Sequence, residues 1–98
     1  MKRQDAISLI KEIDEECKDI VGRSFMLIKP SLDSQAAGYQ VQVKGDFKGE
    51  KSVCIELIAN RFGYSVRNET ENKAITIFES KEKRTTKQYP VVEETGIM

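Results

Sequence analysis

The distribution of apolar residues predicts an α+β fold of the two-layer sandwich class, in the order helix, strand, strand, helix, strand, strand. In this arrangement the four strands form one antiparallel sheet and both helices pack on one face of it. Three observations carry the expectation. Two segments repeat their apolar residues with the helical period, and four short segments are strand-like, three alternating with a period of two and one continuously apolar. The two halves also share a short echo at the helix-to-strand junction, Gly22-Arg23-Ser24-Phe25 in the first and Gly63-Tyr64-Ser65-Val66 in the second.

The first helix is expected from about Gln4 to Val21. Ala6, Leu9, Ile10, Ile13, Cys17, Ile20 and Val21 recur at spacings of three and four and so line one face, while Lys11, Glu12, Glu15, Glu16 and Asp19 occupy the other. Asp14 precedes Lys18 by four residues, the favourable order for a helical ion pair. Gly22 is placed to end the helix in the left-handed conformation.

The first strand, Ser24 to Lys29, is apolar on both faces through Phe25-Met26-Leu27-Ile28. Pro30 ends it because proline has no amide to donate. A polar and small-residue loop, Ser31 to Gly38, precedes the second strand, Tyr39 to Lys44. There Tyr39, Val41 and Val43 alternate with Gln40, Gln42 and Lys44, the pattern of a strand buried on one side.

A turn from Gly45 to Gly49 leads into the second helix, about Glu50 to Phe62. Cys54, Leu57, Ile58 and Phe62 share its apolar face, and Ile55 widens that face. Gly63 caps it, and the third strand runs from Tyr64 to Arg67. The stretch Asn68 to Lys73 is rich in turn formers. The fourth strand, Ala74 to Glu79, turns Ile75 and Ile77 inward and Thr76 and Phe78 outward. Residues 1–80 therefore form one domain, and 81–98 read as a C-terminal arm or flexible tail.

Composition narrows the function classes. In 98 residues, 16 basic and 16 acidic side chains cancel, so the net field is too weak for broad capture of nucleic acid or anionic membrane. The charged N-terminus contains no apolar stretch of signal-peptide length, and no segment is apolar enough to span a bilayer. A cytoplasmic location is the expectation, with Cys17 and Cys54 as reduced thiols packed on the apolar helix faces. A disulfide joining the two helices, or a redox role, is the alternative.

No constellation points to catalysis. The chain has no histidine, so neither thiol has an imidazole to activate it. Asp14, Glu15 and Glu16 are consecutive, so on a helix they splay by about 100° each and do not converge on one point. Gly45-Asp46-Phe47-Lys48-Gly49-Glu50-Lys51-Ser52 has the strand-to-helix setting of a phosphate loop. Its second glycine is one position early, however, and Glu50 stands where a glycine would let backbone approach phosphate. A weaker expectation survives, an anion held by Lys48, Lys51 and Ser52 at the start of the second helix. The chain is read as non-enzymatic, with no cofactor and no metal.

The outer sheet face is the main candidate surface, carrying Met26, Ile28, Gln40, Gln42, Lys44, Arg67 and Phe78, with Ser24, Ser65 and Thr76 among them. Apolar residues on a face that points away from the core usually mark a contact. The C-terminal arm, through Tyr89, Val91 and Val92, is one candidate cover; a second copy or another protein is the next. Single-stranded nucleic acid stacked on Phe78, with its phosphates on Lys44, Arg67 and the Lys81–Lys87 run, is the third. The functional expectation is a small cytosolic interaction or regulatory protein that self-associates or binds a protein partner through this face or through the acidic side of the first helix. A weak single-strand-binding module and a binder of a phosphorylated small ligand are the alternatives, and no membrane partner is expected.

Overall fold

The computed structural model describes residues 1–47, 52–69 and 73–81. It contains α1 (Arg3–Glu16), β1 (Val21–Ile28), β2 (Gln40–Asp46), α2 (Val53–Arg61), β3 (Ser65–Glu69) and β4 (Ala74–Phe78), in the expected order. The strands form one open antiparallel sheet with the order β1-β2-β4-β3. Each half of the chain thus contributes a hairpin, and the two hairpins join through β2 and β4.

The central strands are those with the cleanest apolar alternation. Val41 and Val43 of β2 and Ile75 and Ile77 of β4 are buried, and Val41 lies opposite Ile77 and Val43 opposite Ile75. They share one cluster with Ala6, Leu9 and Ile13 of α1 and with Ile55, Ile58 and Ala59 of α2, and Phe25, Leu27 and Val66 pack against it. Each large aliphatic side chain so buried stabilises the fold by about 1.5–3 kcal/mol relative to leaving it in water.

The helices lie beside one another. Arg61 of α2 meets Glu12 of α1 at 2.6 Å and Glu16 at 3.6 Å, and a disulfide joins Cys17, just after α1, to Cys54 in the first turn of α2. That bond corrects the expectation of two free thiols. Cys17 is the buried C-cap of α1 and Cys54 lies in the first turn of α2, and the side-by-side helices bring them to a Cα separation of 5.8 Å, within the narrow range a disulfide requires.

Several boundaries also move. Helix α1 stops at Glu16, with Cys17 as its C-cap, rather than at Val21. Gly22 has φ +68°, but it lies inside β1 and not at a helix end. Between the pairs Val21–Asp46 and Ser24–Lys44, β1 advances three residues against two on β2. The extra residue makes a β-bulge, which commonly takes a left-handed glycine. In α2 the buried residues are Ile55, Ile58 and Ala59, whereas Leu57 is 60% exposed and Phe62 also faces solvent. The buried face of the helix is centred nearer Ile55 than the spacing of Leu57 and Phe62 implies.

The loop before β2 is tied down at one end of the sheet, where β2 starts and β4 ends. Ala36 bridges Ser80, and the amide of Ala37 donates to the carbonyl of Glu79 at 2.7 Å. The amino group of Met1 donates to the carbonyl of Ala37 and pairs with Glu79 at 3.0 Å. The amide of Tyr39 donates in turn to the carbonyl of Met1 at 2.8 Å. Gly38 makes this close approach feasible: its φ is +76°, and a Cβ there would lie 2.3 Å from the Met1 carbonyl oxygen. Among the described residues, no helix is long and apolar enough to cross a membrane. Most of the expected arm, 82–98, lies outside the described residues, as do Lys48 and Lys51.

Candidate interaction surface

The strand pairing assembles the even-numbered positions of β1, β2 and β4 and the odd-numbered positions of β3 into rows. Met26 lies opposite Gln42, Gln42 opposite Thr76, and Thr76 opposite Arg67, so one row crosses all four strands. At a strand spacing of about 4.8 Å that row is about 14 Å long. The next row runs Ser24, Lys44, Ala74 and Glu69, while Ile28 pairs with Gln40 and Phe78 with Ser65 on the other side. All seven residues expected on this surface are thus brought onto one side of the sheet, opposite the alternation that feeds the core.

Their accessibility is uneven. Met26 is 52% exposed, and Lys44 and Arg67 are also exposed, whereas Ile28, Gln42 and Phe78 are half-buried. Met26 and Ile28 reach solvent because the continuously apolar strand proves to be an edge strand with a neighbour on one side only.

Two positions depart from expectation. Thr76 is completely buried although it belongs to the outer row. It lies between Gln42 and Arg67 in that row, and its hydroxyl donates to the carboxylate of Glu69. Gln40 is 6% exposed: its amide nitrogen donates to Ser34 Oγ at 3.3 Å, across the loop that closes this end of the sheet. Gln40 therefore presents little surface to a partner.

Arg67 organises the β3 edge. Its guanidinium carbon stands 5.4 Å from the centre of the Phe78 ring, a cation–π distance, and its Nε is 3.8 Å from Glu69 Oε2. Glu69 thus holds the Arg67 guanidinium and the Thr76 hydroxyl together. Sequence reasoning omitted Glu69, although its place two residues after Arg67 on the same strand is the signal that assigns it to this face. The surface offers an apolar edge at Met26 and Ile28, an amide at Gln42, and two cations at Lys44 and Arg67.

The proposed anion site is visible at Ser52 alone. This residue caps α2, its hydroxyl accepts from the amide of Ile55 at 3.3 Å, and it is buried. Its oxygen is thus engaged in capping. Among the described residues, no group of three or more His, Cys, Asp or Glu side chains is placed to hold a metal ion.

A second feature lies at the helix side of the molecule. Phe62 and Tyr64 stack with ring centres 6.0 Å apart, beside a small cavity of about 80 Å³ that Asp5, Ser8 and Leu9 also line. Burial pushes the Tyr64 hydroxyl above its ordinary pKa of 10.0, and the negative charges of Asp5 and Glu79 push it the same way. No protein-family model, no curated protein and no solved structure matches this chain.

Proposed function

We propose that this chain is a small, non-enzymatic interaction module that works through the outer sheet face, with a second copy of itself or another protein as partner. The supporting observation is Met26, a large apolar side chain more than half exposed at one end of a row that crosses the sheet. An exposed apolar edge with Lys44 on the neighbouring strand and Arg67 at the opposite end of the sheet has the mixed apolar and charged character of a protein contact. The position of β1 at the sheet edge adds unpaired backbone groups beside it. Light scattering on the wild type and on a Met26→Lys/Ile28→Lys variant tests self-association. The expected result is a wild-type mass above that of the monomer and a monomeric variant. A monomeric wild type at high concentration removes the second copy as the partner.

The stacking of Arg67 on Phe78, with Lys44 on the same face, favours single-stranded nucleic acid as a second reading. On that reading an oligonucleotide binds at low salt, and Phe78→Ala weakens it. The absence of binding at low ionic strength ends the idea. A phosphorylated ligand at Lys48, Lys51 and Ser52 is the third reading. It has the least support, because the Ser52 hydroxyl is already the helix cap.

We propose a cytoplasmic compartment, which the Cys17–Cys54 bond puts to the test. In most such cytoplasms thiols are kept reduced, so the Cys17–Cys54 bond there would mark an oxidised form of the protein. Alkylation of thiols in acid-quenched cells, followed by mass measurement, gives the fraction carrying the bond.

A further inference from the structure

We propose that two copies of this chain join edge to edge through β1, paired antiparallel about a two-fold axis at Met26, so that two four-stranded sheets run on as one. The inference rests on the self-association reading above and fixes its geometry. The sheet has two open edges, β1 and β3. An open edge presents backbone amides and carbonyls that pair with another strand unless charge, proline or a bulge discourages it. β3 is short, and its central residue is the exposed Arg67. β1 has such devices at its two ends alone, the bulge before Ser24 and Lys29-Pro30 after Ile28. Between them Ser24-Phe25-Met26-Leu27-Ile28 pairs regularly with β2 and carries no charge. Alternate residues of that stretch turn their backbone groups outward, away from β2.

That window selects the register. Opposed residues of an antiparallel pair share a face, so the two-fold axis must set one residue against its own copy. Centred on Met26, the stretch Ser24–Ile28 meets its copy along its whole length. A centre at Phe25 drives Leu27 and Ile28 into the bulge of the second copy, and a centre at Leu27 sets Ser24 opposite Pro30, which has no amide. On the outer face Met26 then meets Met26 of the second copy, and Ser24 meets Ile28. On the core side Phe25 meets Leu27, an aromatic–aliphatic pair of the kind that stabilises sheets. Both are half-buried against the core cluster and gain cover on their open side. Charge completes the fit. Lys29 of one copy arrives beside Arg23 of the other, where Asp14 holds the guanidinium at 2.8 Å and is still 56% exposed. Asp14 thus screens Arg23 and offers Lys29 a carboxylate. With 16 basic and 16 acidic residues, the copies do not repel each other at long range. A two-fold contact closes on itself, so assembly through β1 stops at the dimer.

The test uses the full chain with its disulfide intact. Light scattering over a concentration series should show monomer passing to dimer and nothing larger. Met26→Cys alone, oxidised with diamide, should form a covalent dimer, since opposed Cβ atoms lie about 4.5–5.5 Å apart. Ser24→Cys and Ile28→Cys should crosslink slowly alone and about tenfold faster when mixed, because pairing raises the local thiol concentration. Non-reducing peptide mass spectrometry locates each bond. Lys29→Glu should weaken the dimer about fivefold at low salt. A dimeric wild type in which Met26→Cys crosslinks no faster than Arg67→Cys overturns the edge geometry and leaves self-association standing. Met26→Cys that crosslinks faster with Ser24→Cys or Ile28→Cys than with itself overturns the register. A monomeric wild type with no crosslink at any of these positions overturns both, and is the result if residues 82–98 or a foreign strand hold this edge.

Discussion

Breaking the Cys17–Cys54 bond is the most informative single perturbation of this fold. The bond closes a loop with a sequence separation of 37 residues, between the end of α1 and the first turn of α2. In the chain-entropy account, a loop of that length restricts the unfolded state enough to stabilise the native one by about 4 kcal/mol. Reduction leaves both sulfur atoms in place as small apolar groups, so it opens no cavity, and the loss is almost wholly that restriction. Against a total of about 5–15 kcal/mol for an ordinary domain, this is a large share. For a domain of this size it corresponds to a fall in Tm of roughly 15 °C or more. The assay is urea unfolding followed by circular dichroism, with and without a dithiol reductant. The midpoint should drop by about 1.3 M or more, and the slope should rise because the reduced unfolded chain is more open. A midpoint shift below about 0.3 M would refute the reasoning, since a native bond across this loop cannot be so nearly neutral.

Three further outcomes are expected. Gly38→Ala should lower stability by about 2 kcal/mol or more, because it combines a left-handed backbone with a Cβ placed against the Met1 carbonyl; chemical denaturation gives the value. Ile58→Ala should cost about 2–5 kcal/mol, as expected for truncating a side chain fully buried in α2, whereas Leu57→Ala one position earlier should cost under about 1 kcal/mol. Tyr64 supplies a pH dependence. Its folded pKa lies above the unfolded value, so between those two values the unfolded state has lost the proton that the native state keeps. Stability should therefore be full below pH 10.0 and decline as the pH rises from there toward the folded pKa. Tyr64→Phe should remove that part of the decline, which thermal melts across the alkaline range would show.

The surface residues were legible in the sequence as a face, and less so as individual environments. Alternation alone places Met26, Gln42, Lys44, Arg67 and Phe78 on one side, because the period of two is a local property of the extended chain. Whether each is reachable depends on neighbours in other strands. Thr76 is covered because its row continues on both sides into Gln42 and Arg67, and Gln40 because the loop carrying Ser34 folds across it. Glu69 shares the face by its spacing from Arg67, but its bond to Thr76, seven residues away in sequence, is one no spacing rule encodes.

By itself the sequence determined the order and type of all six elements and the two alternating patterns that separate core from surface. Those follow from backbone geometry and the exclusion of apolar side chains from water, and both act over a few residues. Tertiary structure decided the strand order β1-β2-β4-β3, the exposure of an apolar strand at the edge, the rotation of α2 about Ile55 and the joining of Cys17 to Cys54. These depend on which surfaces meet across dozens of residues. That choice is made by how whole faces pack together, so it appears only once the chain has closed on itself.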